Sequence, residues 1–341
     1  MGATDGDKGD GGTGRTTEAG GGATDVTGTT GATGAGSSPA GGQWFPPEWA
    51  GRIRALWAGE LVPPEPRRAA TVMLLRDGPF GGAPVEVYLL RRRASMAFGA
   101  GAHAYPGGGV DPRDEEWDDA AGWSGPDRSR WAARLGVSES VAQSIVCAAV
   151  RETFEESGVL LAGPHGGGVV ADTTGDDWEV DRRALVDREL SFSDFLARRR
   201  LVLRSELLAP WTRWITPEFE SRRYDTWFFV AALPVGQRAR NASTEADRTL
   251  WTAPGEAYAG YRRGELLMMP PTAATLRELA ESVGSAEPEA VRTVADGRDL
   301  SPVLARTRRE DGQIVIHWPG YEEFEKRMPD PDAGGGAEER R

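Results

Sequence analysis

The sequence predicts an α/β sandwich, a sheet layered between helices, on two observations. Aliphatic, strand-like runs at 70–75, 85–91, 211–215 and 226–233 are separated along the chain by amphipathic helical stretches at 141–157 and 272–283. Strands interrupted by helices pack as layers rather than as a helical bundle.

The first two strands, Ala70 to Leu75 and Val85 to Arg91, flank a turn written Asp77-Gly78-Pro79-Phe80-Gly81-Gly82. A short strand near His103 leads into Tyr105-Pro106-Gly107-Gly108-Gly109-Val110-Asp111, where three glycines let the backbone approach a ligand closely. The 141–157 helix follows. Ser140 and Gln143 match a capping box, Ser138 is a competing cap, and Gly158 suits the left-handed position that ends a helix. Val146, Cys147, Val150 and Phe154 form its buried stripe, while Ala148 and Ala149, on the acidic side, leave room for a ligand. A helix at 193–200, capped by Ser193, joins residues 185–190 in a helical insertion at about 180–208. After the strands at 211–215 and 226–233, Pro270-Pro271 opens the helix at 272–283, and 313–317 is a late strand.

The end of the 141–157 helix reads Arg151-Glu152-Thr153-Phe154-Glu155-Glu156-Ser157-Gly158-Val159. At about 100° per residue, Glu152, Glu155 and Glu156 share one arc of ~100° and repel one another unless a hard divalent cation neutralises them. An acidic helix face is most often solvated surface. Here the glycine loop, the arginine and the terminating glycine stand in register with it, which points to a metal site. His103, His165 and His317 are scattered, so no histidine cluster suggests zinc.

Gly109, five residues, Glu115, then Arg151-Glu152, Glu155-Glu156 and Gly158 resemble the Nudix box. That box runs Gly, five residues, Glu, seven residues, then Arg-Glu-hydrophobic-any-Glu-Glu-any-Gly-hydrophobic. Two positions depart from it. Glu115 and Arg151 are separated by 35 residues where the family usually has seven, an insertion of 28, and the hydrophobic position after Arg-Glu is Thr153. The insertion, at about 112–139, leaves Glu115 without a defined place beside the helix. Leu89-Leu90-Arg91-Arg92, Met96 and Phe98 resemble the branch of acyl-CoA diphosphatases, which also carries an insertion inside the box. So do Trp214-Ile215-Thr216-Pro217, Arg223 to Phe229, Glu245, Trp251, Pro270-Pro271-Thr272 and Trp318-Pro319-Gly320.

This resemblance implies the Nudix fold, a mixed sheet between helices (α/β/α) with a helical insertion. It implies a diphosphatase that uses Mg²⁺ or Mn²⁺ held by Glu152, Glu155 and Glu156. Glu152 is either a further ligand or the general base, and Glu245 is the alternative base. Arg151 is placed at the catalytic group and reads most simply as a bidentate holder of a carboxylate. Gly107, Gly108 and Gly109 are expected to hold metal or phosphate, and Arg91 and Arg92 to meet extra phosphates of the substrate. The substrate it implies is CoA or acyl-CoA, cleaved to 3′,5′-ADP and a phosphopantetheine. Alternatives are an NADH or ADP-ribose diphosphatase, or a nucleotide-sensing module without turnover. Many relatives are homodimers.

Composition sets outer bounds. The first 43 residues hold 15 glycines and 9 threonines, with Met1 and Val26 as their large apolar residues, so a disordered tail is expected there and again at 329–341. The catalytic domain then spans 44–328. A formal net charge of −12 argues against nucleic-acid binding. No run reaches the ~18 apolar residues of a membrane span, and one cysteine among 341 residues fits a reducing cytoplasm.

Overall fold

The computed structural model describes residues 46–331 apart from 80–82, 97–98, 118–120, 284–286 and 296. The expected tail at 1–43, residues 332–341 of the second tail, residues 80–82 of the 77–82 turn and Phe98 lie outside these residues. At the carboxyl end the expected boundary falls short: Pro329 still closes a strand, and Asp330 is buried against Arg309.

In chain order the first elements are α1 (Trp49–Trp57), β1 (Arg67–Asp77), β2 (Val85–Arg92), β3 (His103–Ala104), β4 (Gly107–Gly109) and α2 (Pro112–Glu115). Next come β5 (Trp123–Ser124), α3 (Arg128–Leu135), α4 (Glu139–Ser157), β6 (Ala162–Pro164), α5 (Asp176–Val186), α6 (Phe192–Arg198) and β7 (Leu201–Arg204). Then follow β8 (Ala209–Ile215), β9 (Tyr224–Ala232), β10 (Ala246–Thr252), α7 (Pro254–Arg262), α8 (Pro270–Val283) and α9 (Pro288–Ala295). The last are β11 (Val303–Leu304), β12 (Arg306–Glu310), β13 (Gln313–His317) and β14 (Lys326–Pro329).

The main sheet has the order β10-β2-β1-β9-β8-β11, with β3 on β2 and β4 on β1. It is mixed: β1 runs parallel to β9 and antiparallel to β2 and β4. Strand alternation assigns its two faces. Ala70, Val72 and Leu74 of β1, Tyr88 and Leu90 of β2, and Trp227 and Phe229 of β9 pack with α3, α4 and α6. Met73, Leu75, Val87, Leu89, Phe228 and Val230 point the other way, into a second core with α1, α8 and α9. The expected α/β/α layering is therefore the observed one.

Helix α4 is enclosed on nearly every side, because the sheet, α3 and α5–α6 surround it. Ala148 and Ala149 are fully buried in the core with Ala70 and Val72, so their small side chains admit the sheet rather than a ligand. Ser138, not Ser140, is the N-cap: its Oγ accepts from the Val141 amide at 3.5 Å, and Gln143 is buried instead of reaching back. Gly158 takes the expected left-handed conformation at φ 72°. Thr153, at the hydrophobic position of the box, is buried at no polar cost because its Oγ1 donates to the Ala149 carbonyl at 2.7 Å.

The insertion inside the box is built into the core. Trp131 of α3 packs edge-on to Phe229 with ring centroids 6.1 Å apart, and Trp123 sits on β5, paired with β7. The helical insertion is α5 and α6, and Ser191 rather than Ser193 caps α6, accepting from the Asp194 amide at 3.1 Å. Phe195 of α6 stacks on Phe154 of α4 at 5.3 Å.

Candidate active site

Strand β4 lies along β1 directly under the carboxyl end of α4, and this contact explains two of the three glycines. A Cβ at Gly107 would stand 2.5 Å from the Ala70 carbonyl oxygen, and one at Gly108 would stand 2.6 Å from Glu152 Oε1. At Gly109 the nearest such atom is 3.9 Å away, but its carbonyl accepts from Arg151 Nη2 at 2.9 Å. Gly107 N–H donates to Glu156 Oε2 at 2.8 Å. The three substitutions should therefore separate. Gly107→Ala is expected to lower stability by about 1–3 kcal/mol through backbone overpacking. Gly108→Ala should mainly displace the Glu152 carboxylate and lower activity, while Gly109→Ala leaves both nearly unchanged. Denaturant unfolding run beside a hydrolysis assay checks this, and equal behaviour of the three variants would contradict it.

Arg151 is the hub of the site. Its Nε and Nη2 grip Asp114 at 3.0 and 2.8 Å, Nη1 reaches Glu152 at 2.8 Å and Glu155 at 3.2 Å, and Nη2 also holds the Gly109 carbonyl. Those contacts occupy every N–H of a guanidinium. Burial opposes its charge, but Glu152, Asp114 and Glu155 outweigh that and hold its pKa above the ordinary arginine value. Arg151 thus has every donor engaged within the protein.

Asp114 is the partner that reading the box as a spacing pattern misses. It is 2 % exposed, whereas Glu115 is an exposed side chain paired with Arg68 at 3.4 Å. The signal was the short-range pattern Asp111-Pro112-Arg113-Asp114, a capping box in which Asp111 N–H donates to Asp114 Oδ2 at 2.9 Å. That box turns Asp114 inward, towards Arg151 and the thiol of Cys147, at 3.3 Å. Arg113 anchors the same turn to the helical insertion through the carbonyls of Arg188 and Leu190, at 2.9 and 3.2 Å.

The three glutamates are not equivalent. Glu155 is buried, shares Nη1 of Arg151, and is raised in pKa by that burial. Glu152 and Glu156 are part-buried rather than on an exposed face. Desolvation raises Glu152, with Arg151 opposing and Glu155 adding to it. Burial and then the charge of Glu152 push Glu156 up to about 8, against the Gly107 amide and Arg92.

Around Glu156 the expected second group only partly assembles. Ser243 Oγ lies 3.4 Å from Glu156 Oε1, and Glu245, two residues on and half-exposed, is near enough for its charge to act on Glu156. Arg92 pairs with Glu245 at 3.3 Å. Arg91 does not join them: strand alternation turns it to the opposite face of β2, where Asp247 holds it at 2.7 and 2.8 Å. Asp225, beside the buried aromatic run of β9, is likewise held by Arg213, at 2.6 and 2.8 Å.

The NUDT19 Nudix domain family model matches residues 126–279. Among curated proteins the chain is similar to acyl-coenzyme A diphosphatase NUDT19 of Xenopus laevis, 27 % identical over 288 residues and covering 73 % of each chain. It is similar also to the protein of that name from Gallus gallus, 26 % identical over 250 residues, covering 60 % of this chain and 65 % of that one. Among solved structures, a NUDIX hydrolase from Alicyclobacillus acidocaldarius superposes with a TM-score of 0.55 at 27 % identity, over 70 % of this chain and 97 % of that one. The chain has the Nudix fold and is similar in sequence to the Nudix superfamily. It is an enzyme that hydrolyses a pyrophosphate bond, similar in sequence to the acyl-CoA diphosphatases named above.

Nudix hydrolases use divalent metal ions, and the donor set fits one. Glu152 and Glu156 are neighbouring carboxylates whose pKa values are raised chiefly by burial, with Arg151 opposing at Glu152 and the charge of Glu152 adding at Glu156. Their oxygens are hard ligands of the kind Mg²⁺ and Mn²⁺ prefer. Among the described residues no three His, Cys, Asp or Glu side chains already converge as a cage.

A pH dependence follows. The folded-state pKa of Glu156 lies above its ordinary 4.5, at about 8, and Glu152 is displaced in the same direction. Raised carboxyls stabilise the fold fully below about 4.5 and lose that contribution as pH rises through the folded values. In chelator, thermal stability should therefore fall between about pH 4.5 and 8, and Mg²⁺ should restore it most strongly at the alkaline end. Identical unfolding curves with Mg²⁺ and with chelator across that range would refute this.

Proposed function

We propose that this Nudix hydrolase cleaves the diphosphate linkage of CoA or acyl-CoA, releasing 3′,5′-ADP and a phosphopantetheine, with Mg²⁺ or Mn²⁺ as its ion. The observation that carries the reading is the junction of β4 with the end of α4. There the Gly107 amide and the carboxylates of Glu152 and Glu156 meet in a part-buried place. A diphosphate repels hydroxide, and a bound divalent ion would screen the phosphoryl oxygens and lower the pKa of an attacking water. Glu156 and Glu152 would hold that ion, with Glu155 joining when it releases Arg151. Arg151 orients Glu152 and Glu155. Glu245, whose half-exposed carboxylate acts by its charge on Glu156, would take the water's proton.

The named relatives support CoA as the nucleotide. The buried free thiol of Cys147 is compatible with a reducing, cytoplasmic setting, and no helix among the described residues is long and apolar enough to cross a membrane. The test is a substrate panel with product identification in Mg²⁺ and Mn²⁺. Release of 3′,5′-ADP from CoA is the expected result. Preferential cleavage of NADH or ADP-ribose would overturn the CoA assignment, and binding without turnover across the panel would overturn catalysis.

A further inference from the structure

We propose that the cavity between α5 and the 240–244 loop is a subsite for a second phosphate of the substrate, a monoester such as the 3′-phosphate of a CoA-type nucleotide. The proposal rests on the diphosphatase reading above and names where that substrate's extra charge goes.

The cavity measures about 490 Å³ and is lined by Arg182, Arg183, Arg240, Asn241 and Thr244, with Glu179 and Asp187 as its carboxylates. Glu179 is shared by all three arginines: Arg182 at 2.6 and 2.9 Å, Arg183 at 3.1 Å and Arg240 at 3.2 Å. Two carboxylates against three guanidinium groups leave the cavity cationic.

The arginines differ in what they can still give. Arg182 is spent, because its Nη1 donates to the Glu155 carbonyl at 2.7 Å. Arg183 has a side chain 71 % exposed and gives only Nε to Glu179, so among the described residues its Nη nitrogens have no partner. Nη1 of Arg240 is buried against Gly158 and has no hydrogen-bond partner among the described residues. A buried guanidinium donor without an acceptor is costly, and an anion beside it removes that cost.

The loop that lines the cavity also contacts Glu156. Ala242 N–H donates to the Glu156 carbonyl at 3.2 Å, and Ser243 Oγ contacts the Glu156 carboxylate at 3.4 Å. From Arg240 to Ser243 the chain spans at most ~11 Å, comparable to the separation of two phosphates on one ribose. Of the two arginines the sequence suggested for such a phosphate, Arg91 lies across the sheet and is held by Asp247, while Arg92 pairs with Glu245.

The experiment compares CoA with 3′-dephospho-CoA, which keeps the diphosphate and lacks only the monoester. Arg183→Gln, at an exposed position, should raise KM for CoA about tenfold while leaving kcat and the KM for 3′-dephospho-CoA unchanged. Arg240→Gln should act in the same direction. Calorimetric binding of 3′,5′-ADP should weaken by a similar factor, with 5′-AMP unaffected. Equal changes for both members of either pair, or none, would overturn the subsite. Because the ADP and AMP titrations need no turnover, they decide the subsite even if CoA is not hydrolysed, so failure of the two readings is distinguishable.

Discussion

Glu156→Gln is expected to lower metal-dependent hydrolysis about a thousandfold or more while the protein stays folded. A metal acting on phosphoryl oxygens and water contributes several kcal/mol to the barrier, and each 1.4 kcal/mol is about tenfold in rate. Glutamine keeps an oxygen to accept from the Gly107 amide, now 2.8 Å from Oε2, and its amide NH2 can donate to the Ser243 hydroxyl, now 3.4 Å from Oε1, so the local packing survives. It removes a negative charge from beside Glu152. Stability in chelator at about pH 8 should therefore be unchanged or higher, whereas the increment in melting temperature given by Mg²⁺ should shrink. Steady-state kinetics and thermal unfolding on the same preparation check both halves. Wild-type rates in this variant would remove the glutamate site altogether, and loss of the fold would show that the carboxylate is structural.

Arg151→Met should be the most destabilising single change at the site, by about 3–5 kcal/mol, the usual cost of removing one partner from a buried ion pair. Asp114 would be left 2 % exposed with no cation, and Glu152 and Glu155 would lose their common donor. Against a typical stability of ~5–15 kcal/mol, that is a large fraction of the whole. Pairing the change with Asp114→Asn should recover part of the loss, because the stranded charge is then gone. Denaturant unfolding of the double-mutant cycle measures this coupling. A single-variant cost under about 1 kcal/mol, or strict additivity in the cycle, would show that Arg151 is not the hub.

Local periodicity already determined α4, its end at Gly158 and the glutamate arc, because helix geometry depends only on residues a few positions apart. Strands β1, β2 and β9 were legible from their apolar runs, and β8 from Trp211, Trp214 and Ile215. Strand β10, Ala-Asp-Arg-Thr-Leu-Trp-Thr, was not: it pairs only with β2 at the sheet edge, so half of it is polar. Helices α1, α7 and α9 were also missed. They are eight or nine residues long, and burial in the tertiary structure supplies the stability that so short a helix lacks by itself.

Residue chemistry and local spacing thus settled which side chains could bind an ion, and on which helix. Only the tertiary structure decided their division of labour. It brought Asp114 across 37 positions to Arg151, put Glu155 under the same guanidinium, and turned Arg91 away from Glu156. The physical reason is that each outcome depends on a contact between distant segments, and burial sets its energy: a charge costs little on a surface and several kcal/mol when enclosed without a partner.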